Sequence, residues 1–349
     1  MSLKTNAFKL LEASGISYEI RAEAISDWDD VLENLPYQPV RYFGTWMNFQ
    51  LANHSGNGKG DSIDLSIVIY SDNSPVSIWP LSVKNDLSVI SLSSHGDFVL
   101  PPLFVNNCPL KTKKRITKQC IGFLEDLKKL FNIDHVLIGS NLDDNGALST
   151  WHIGWVEKGL SFNVKYYLYV DLSLELSEIK YFFRKSYKSL ISEGEREWSI
   201  YTHDNSIEHH LWEEFRALHF EVAGRVTRSK DSWDSQLLAI RQQEAFLITL
   251  RDKEDKLVGG GYFQLSSDEG IYAVGVYKRE LFEKPLGHVV QMKAIEELKR
   301  RGCKWYEIGQ RFYPSDSPTP SKKELSISHF KEGFSTHVKP KFFCSTLPK

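Results

Sequence analysis

Two stretches of this chain, 63–140 and 245–309, spell the same order of elements: strand, turn, strand, strand, proline, helix, strand. In the second, "AFLITLRDKEDKLVGGGYFQLSS" alternates on both sides of a turn at Lys253–Lys256, and "GIYAVGVYKREL" is a third strand. Pro285 then opens a helix over about Leu286–Arg301, Gly302 stops it, and "CKWYEIG" follows as a strand. In the first, "IDLSIVIYSDNSPVSIWPLSV" is two strands around Asp72, Asn73 and Ser74, and "LSVISLSSHGDFVLPPLF" is a third. Lys111–Phe131 is an amphipathic helix with Ile116, Cys120, Phe123, Leu127 and Leu130 on one face, and "DHVLIGSN" closes the set. No residue-level repeat accompanies the pattern, so element order alone is duplicated.

A helix with an apolar stripe (Leu286, Val290, Ala294, Ile295, Leu298) between two strands packs on the sheet they form. The second strand returns beside the first, a right-handed crossover. Two α/β domains in tandem follow. The 349 residues suit two such domains, placed at 1–165 and 166–349. Around these units, "SDWDDVLENLP" reads as a short helix capped by Ser26, and "YFGTWMNFQLANHSGNGKGDS" closes in a turn. Ser177 caps the helix "EIKYFFRKSYKSLISEG", stopped at Gly194, and Ser206 caps "IEHHLWEEFRALHFEVAG", stopped at Gly224.

A net charge of −2 argues against a broadly basic nucleic-acid surface, so DNA is not an expected partner, while a local basic groove stays open. The four cysteines form no CxxC pair, so neither a zinc site nor a redox motif is read, and they suit a reducing cytoplasm. No transmembrane segment or signal peptide is expected, because no apolar run approaches the roughly 20 residues a span needs.

The crevice at the strand ends beside a helix N-terminus is where ligands bind in such folds. At the mouth of the 286–301 helix the first N–H groups are free to hold a phosphate, with Gly287 permitting close approach and His288 adding a donor. Alternatively, Gly287 is a packing glycine and His288 a surface residue. "WYEIGQR" places Glu307, Gln310 and Arg311 at the end of a strand. A partly buried Glu307 suits a general base with a raised pKa, or else an ion pair with an arginine such as Arg311. The loop "AGRVTRSKDSW" carries Arg225, Arg228 and Ser229, donors suited to an anionic acceptor, or simply a solvated linker. "RKSYKSLI" offers Arg184, Lys185 and Lys188 as a basic track or a solvated face. In "SHFKEGF", Lys331 lies among His329, Phe330 and Phe334, placed to face a developing oxyanion or to cover apolar surface.

These residues resemble FemAB-like proteins, a branch of the GNAT acyltransferase superfamily. The resemblance rests on "RKSYKSLI", "FLITLRDKEDKLVGGGYF", "IYAVGVY", the helix after "KPLG", "KWYEIG" and "HFKEGF", with "SPVSIWPLSV" and "HGDFVLPPLF" in the first half. It implies tandem duplicated GNAT-like domains, each a mixed sheet with packed helices. It implies transfer of an acyl or aminoacyl group to an amine of a cell-wall or surface-polysaccharide precursor, and makes Lys331 the functional lysine. The donor would be aminoacyl-tRNA or acyl-CoA, with no tightly bound cofactor and no metal, and the acceptor nucleotide-linked or phosphorylated. "EKPLGHV" keeps only one glycine of the coenzyme A loop, which favours tRNA as donor. An acyl-CoA-dependent N-acetyltransferase of an amino sugar and a non-catalytic ligand-binding duplicate are the alternatives.

Overall fold

The computed structural model describes residues 2–55, 61–86, 89–140 and 146–345. The turn expected at 56–60 lies outside them. The chain divides into two compact units: Met1–Gln38, Tyr42–Lys165 and Pro340–Lys349 form the first, and Pro39–Arg41 with Tyr166–Lys339 the second. The expected single boundary therefore misses two exchanges, residues 39–41 and 340–349. Among the described residues no helix is long and apolar enough to cross a membrane.

The first unit contains α1 (Leu3–Ala13), β1 (Tyr18–Ile20), α2 (Ile25–Glu33), α3 (Gly44–Ser55), β2 (Asp61–Asp64), β3 (Ile67–Ser71), β4 (Ser74–Trp79), β5 (Ser82–Asp86), β6 (Val89–Ser93), β7 (Leu103–Phe104), α4 (Leu110–Phe131), β8 (Leu137–Ser140) and α5 (Thr150–Glu157). The two strands expected around Asp72 are a longer hairpin broken at one level. β3 pairs with β4 and β2 with β5, and the break falls at Leu65–Ser66 and Pro80–Leu81. Pro80 has no N–H for the ladder. Across the break Leu65 N donates to the Leu81 carbonyl, and the Ser66 hydroxyl accepts from Leu81 N. The result is two small sheets, β1-β3-β4-β7 and β2-β5-β6. The crossover survives as a parallel bridge between Val99 and Ile138 on either side of α4. α4 buries Ile116, Cys120, Phe123 and Leu127 as expected, while Leu130 is exposed.

The second unit contains β9 (Asn163–Asp171), α6 (Leu176–Phe182), α7 (Lys185–Glu197), β10 (Ser199–His203), α8 (His209–Ala223), α9 (Lys230–Arg241), β11 (Ala245–Arg251), β12 (Leu257–Leu265), β13 (Glu269–Tyr277), α10 (Leu286–Arg300), β14 (Trp305–Arg311) and α11 (Lys322–Glu332), and β15 (His337–Ser345) begins in it. Its strands lie in the order β10-β11-β12-β13-β14-β9, with β13 and β14 parallel as the crossover requires. This order differs from that of 63–140, so the two stretches do not share one sheet topology.

Two cores follow from strand alternation. α7 and α10 cover Phe246, Ile248, Phe263, Tyr306 and Ile308 on one face, and α8 and α9 cover Ala245, Leu247, Tyr262 and Val274 on the other. The single helix expected after Ser177 is two, parted at Phe183, whose backbone is extended. Gly194 does not end α7. A Cβ there would lie 2.1 Å from Val289 Cγ2, so the glycine lets α7 and α10 touch.

Candidate functional site

β13 and β14 are registered only at Glu269↔Trp305, Gly270↔Tyr306 and Ile271↔Glu307. Beyond these pairs β13 stays with β12, and β14 with β9. The two strands therefore part from Tyr272 and Ile308 onward. A bulge in β14 between Glu307 and Gly309 helps to turn the strand away, as bulges beside functional sites do. Gly309 has φ +139°, which side chains rarely adopt, and a Cβ there would lie 2.8 Å from Lys331 Nζ. Gly309→Ala is expected to cost more than about 1 kcal/mol of stability, read from chemical denaturation, because both backbone and lysine must shift.

Lys331 closes this gap from the end of α11. Its Nζ lies 5.2 Å over the ring of Tyr272. The side chain is half-buried and makes no hydrogen bond or ion pair among the described residues. Burial pushes its pKa down to about 8, against the opposing pull of Glu307. Beneath it the Tyr272 and Tyr277 hydroxyls are 3.2 Å apart, and the Tyr306 hydroxyl donates to Gln291 at 2.6 Å.

Glu307 is 3% exposed, as a site carboxylate in an apolar strand should be, but both its oxygens are engaged. Arg41 reaches it with two nitrogens, at 2.8 and 3.2 Å, and the Tyr169 hydroxyl donates to it at 2.9 Å. Tyr169 stands directly opposite Glu307 on β9. A carboxylate clamped by a guanidinium is stabilised as the anion and is a poor proton acceptor. The expected ion pair thus forms with Arg41 and not with Arg311, whose side chain instead meets Glu332, Ser328 and the Phe312 carbonyl. Glu269, on the neighbouring strand, accepts from Val40 N at 2.8 Å, so residues 39–41 are tied to the sheet twice.

The mouth of α10 departs from the expected phosphate cradle. A Cβ on Gly287 would lie 3.0 Å from Phe330 Cζ, so its space is taken by an aromatic ring of α11. His288 packs against Tyr187, Phe330 and Phe334, with ring centroids 4.6, 5.0 and 6.1 Å away. Burial and the nearby Arg184 push its pKa down to about 4, so the ring is neutral near pH 7. Arg184 donates to the Tyr187 hydroxyl and the His329 carbonyl, which docks α11 on α7. Gln310 pairs with Tyr167 on β9, and Lys185 is exposed at the start of α7.

The α8–α9 loop separates residues that the sequence groups together. Arg225 is exposed, whereas Arg228 turns inward, 5.4 Å over the ring of Trp233 and 3.4 Å from the Gln236 side-chain oxygen. Burial lowers the Arg228 pKa, and burial with Arg228 lowers that of His219 to about 4. Ser229 is the N-cap of α9, accepting from Ser232 N. The structure therefore brings Glu307, Gly309 and Lys331 into one region, with Gly287, His288 and Arg311 around the same end of α11. Arg228 lies on the α8–α9 core. Arg41, Tyr169 and Tyr272 escaped the sequence reading. Tyr169 and Tyr272 had a visible cue, a polar tip in an apolar strand, in "KYYLYV" and "GIYAVGVY".

No family model matches the chain, and no curated protein matches it. Solved structures do. FemX aligns with a TM-score of 0.63 at 11% identity, over 93% of this chain and 96% of its own. The C-terminal domain of a putative lysylphosphatidylglycerol synthetase from Agrobacterium fabrum aligns with a TM-score of 0.60 at 11% identity, over 93% and 92%. A tandem GNAT protein from the clavulanic acid biosynthesis pathway aligns with a TM-score of 0.52 at 11% identity, over 96% and 99%. At these identities the likeness is one of backbone, and by it the chain has the tandem GNAT fold.

Proposed function

We propose that this chain is an N-acyl- or aminoacyltransferase whose reaction centre is the gap between β13 and β14. The observation that carries the reading is Lys331, an ammonium beside Gly309 with no ion pair among the described residues. When an amine attacks an ester or thioester carbonyl, an N–C bond forms and negative charge gathers on the carbonyl oxygen. The C–O or C–S bond then breaks, and the leaving group departs with the amine's proton. A fixed, poorly hydrated cation facing that oxygen is the contribution Lys331 makes. Glu307, held by Arg41 and Tyr169, positions these groups and favours the charged form of Lys331. This replaces the general-base role expected from the sequence.

Aminoacyl-tRNA is the favoured donor. Phe330 lies where a phosphate would approach Gly287, which speaks against a coenzyme A pyrophosphate there. The similar structures also include L-PGS from Bacillus licheniformis, with a TM-score of 0.56. The acceptor is an amine of a cell-wall or surface-polysaccharide precursor, met in the cytoplasm, with Arg228 serving its anionic part. Lys185 and Lys188 are exposed and supply a basic track, whereas Arg184 is committed to the α7–α11 contact. The second reading is acyl-CoA-dependent N-acetylation of an amino sugar, supported by the likeness to the tandem GNAT protein from the clavulanic acid biosynthesis pathway.

The test supplies purified chain with charged tRNA or acetyl-CoA in separate reactions, each with amine-bearing precursors. Transfer from tRNA that falls steeply with salt supports the first reading. Turnover with the thioester alone reverses the order, and turnover with neither removes both. Arg228→Ala should raise the acceptor KM about tenfold or more, since a charge-assisted contact is worth about 1.5–3 kcal/mol. Arg225→Ala should leave it nearly unchanged. Equal effects would mean that the inward turn of Arg228 has no bearing on the acceptor.

A further inference from the structure

Lys339, at the start of β15, does something unusual with its charge. Its Nζ lies 2.9 Å from the ring centroid of Trp305 and 5.2 Å from that of Tyr169. It makes no hydrogen bond or ion pair among the described residues. The rings around it form a corner. Tyr169 and Trp305 are 6.3 Å apart at 88°, and Trp305 and His337 are 5.4 Å apart at 86°. Glu269 and Asp171 flank Trp305 as its partners on the neighbouring strands, and their charges favour the ammonium although burial outweighs them. Glu269 is engaged with Val40 N, and the carboxylate of Asp171 accepts from Ser173. They supply a negative field without a direct bridge to the lysine.

Faces of tryptophan and tyrosine attract a cation through the ring quadrupole, and such corners recognise ammonium groups. A lysine that needed only to cover apolar surface would send its head to water. Here the head itself is over the indole face.

We propose that Trp305, Tyr169 and His337 form a recognition cage for an alkylammonium group of a ligand, with Lys339 as its resident occupant, displaced when the ligand enters. Exchanging one ammonium for another keeps the charge in the cage constant. The flexible four-carbon stem lets the lysine swing to water, where its charge is well solvated. Trp305 precedes Glu307 by two residues, on the same face of β14, and pairs with Glu269 at the closed end of the β13–β14 ladder, so the cage is linked to the proposed reaction centre through Glu307. Its assignment to the acceptor amine rests on the transferase reading, whereas the cage itself does not.

Calorimetric titration of the full chain with n-butylammonium chloride, against matched sodium chloride, tests this without any transfer reaction. Lys339→Ala should bind n-butylammonium about tenfold or more tighter than wild type, because the competing occupant is gone. Adding Trp305→Leu to that chain should abolish the gain, with thermal melts showing both variants folded. Lys339→Ser repeats the measurement if the alanine chain does not fold. Equal binding by wild type and both Lys339 variants, or binding that survives Trp305→Leu, overturns the proposal. If the cage is the acceptor subsite, Lys339→Ala also lowers the acceptor KM. A chain that binds n-butylammonium as expected but transfers nothing refutes the transferase reading and leaves the cage standing.

Discussion

Arg41→Ala is expected to destabilise the second unit by about 3–5 kcal/mol, because it leaves the Glu307 charge buried without its partner. Glu307 is 3% exposed, and the Tyr169 hydroxyl, which donates to it, is neutral and does not replace the guanidinium. The loss should appear as a lower urea midpoint with little change in the denaturant slope. The double variant Arg41→Ala/Glu307→Gln should recover part of it, since a neutral amide is cheaper to bury than a lone carboxylate. A single Arg41→Ala chain within about 1 kcal/mol of wild type would place the pair among exposed bridges of little worth and remove this reading.

Lys331→Ala is expected to lower acyl transfer by about 10²–10³-fold, the range for removing one fixed donor to a developing oxyanion, without lowering the thermal midpoint. The pH dependence makes the role specific. The ammonium form is required and its pKa lies at about 8, so the rate should fall as pH rises through about 8. Glu307 favours the charged form, so Glu307→Gln should move that fall to lower pH. Lys331→Arg keeps a charge that does not titrate in this range and should remove the alkaline fall altogether. Stability carries the opposite sign. The folded pKa of Lys331 lies below its ordinary value near 10.4, so the unfolded chain binds more protons between the two. Its charged form therefore burdens the fold below about pH 8, and stability rises as pH climbs from about 8 towards about 10.4. Lys331→Gln should flatten that rise. Unchanged turnover in Lys331→Ala would show that the reaction centre lies elsewhere.

Much of the second unit was legible because its signals are local. Alternation in "AFLITLR" and "YFQLSS", the turn at Lys253–Lys256, and Gly302 after α10 each act within a few residues, and they produced β11 to β14 with α10 in place. Gly224 ended α8 for the same reason, taking φ +68° at the C-cap. The neighbourhood of Glu307 and Lys331 could be suspected too, since a charge in an apolar strand and a lysine among aromatics must each have a cause. Signals at the limit of local reach failed. Ser177 was read as a cap where Glu175 and Glu178 form the capping box, and Gly194 as a stop where it is a helix contact.

What the sequence determined by itself was periodicity, turns and helix ends, hence the crossover and the strand that carries Glu307. Partner choice was decided only by the tertiary structure. Arg41 and Glu307 are 266 residues apart, and no spacing rule links them. Phe330 fills the space at Gly287, Lys331 enters the gap at Gly309, and Lys339 rests on Trp305, each brought there by a segment that follows β14 in the chain. A residue's own type sets what it can bond, but burial decides which of its possible partners it must keep. For Glu307 that turned a carboxylate expected to accept protons into one held as an anion.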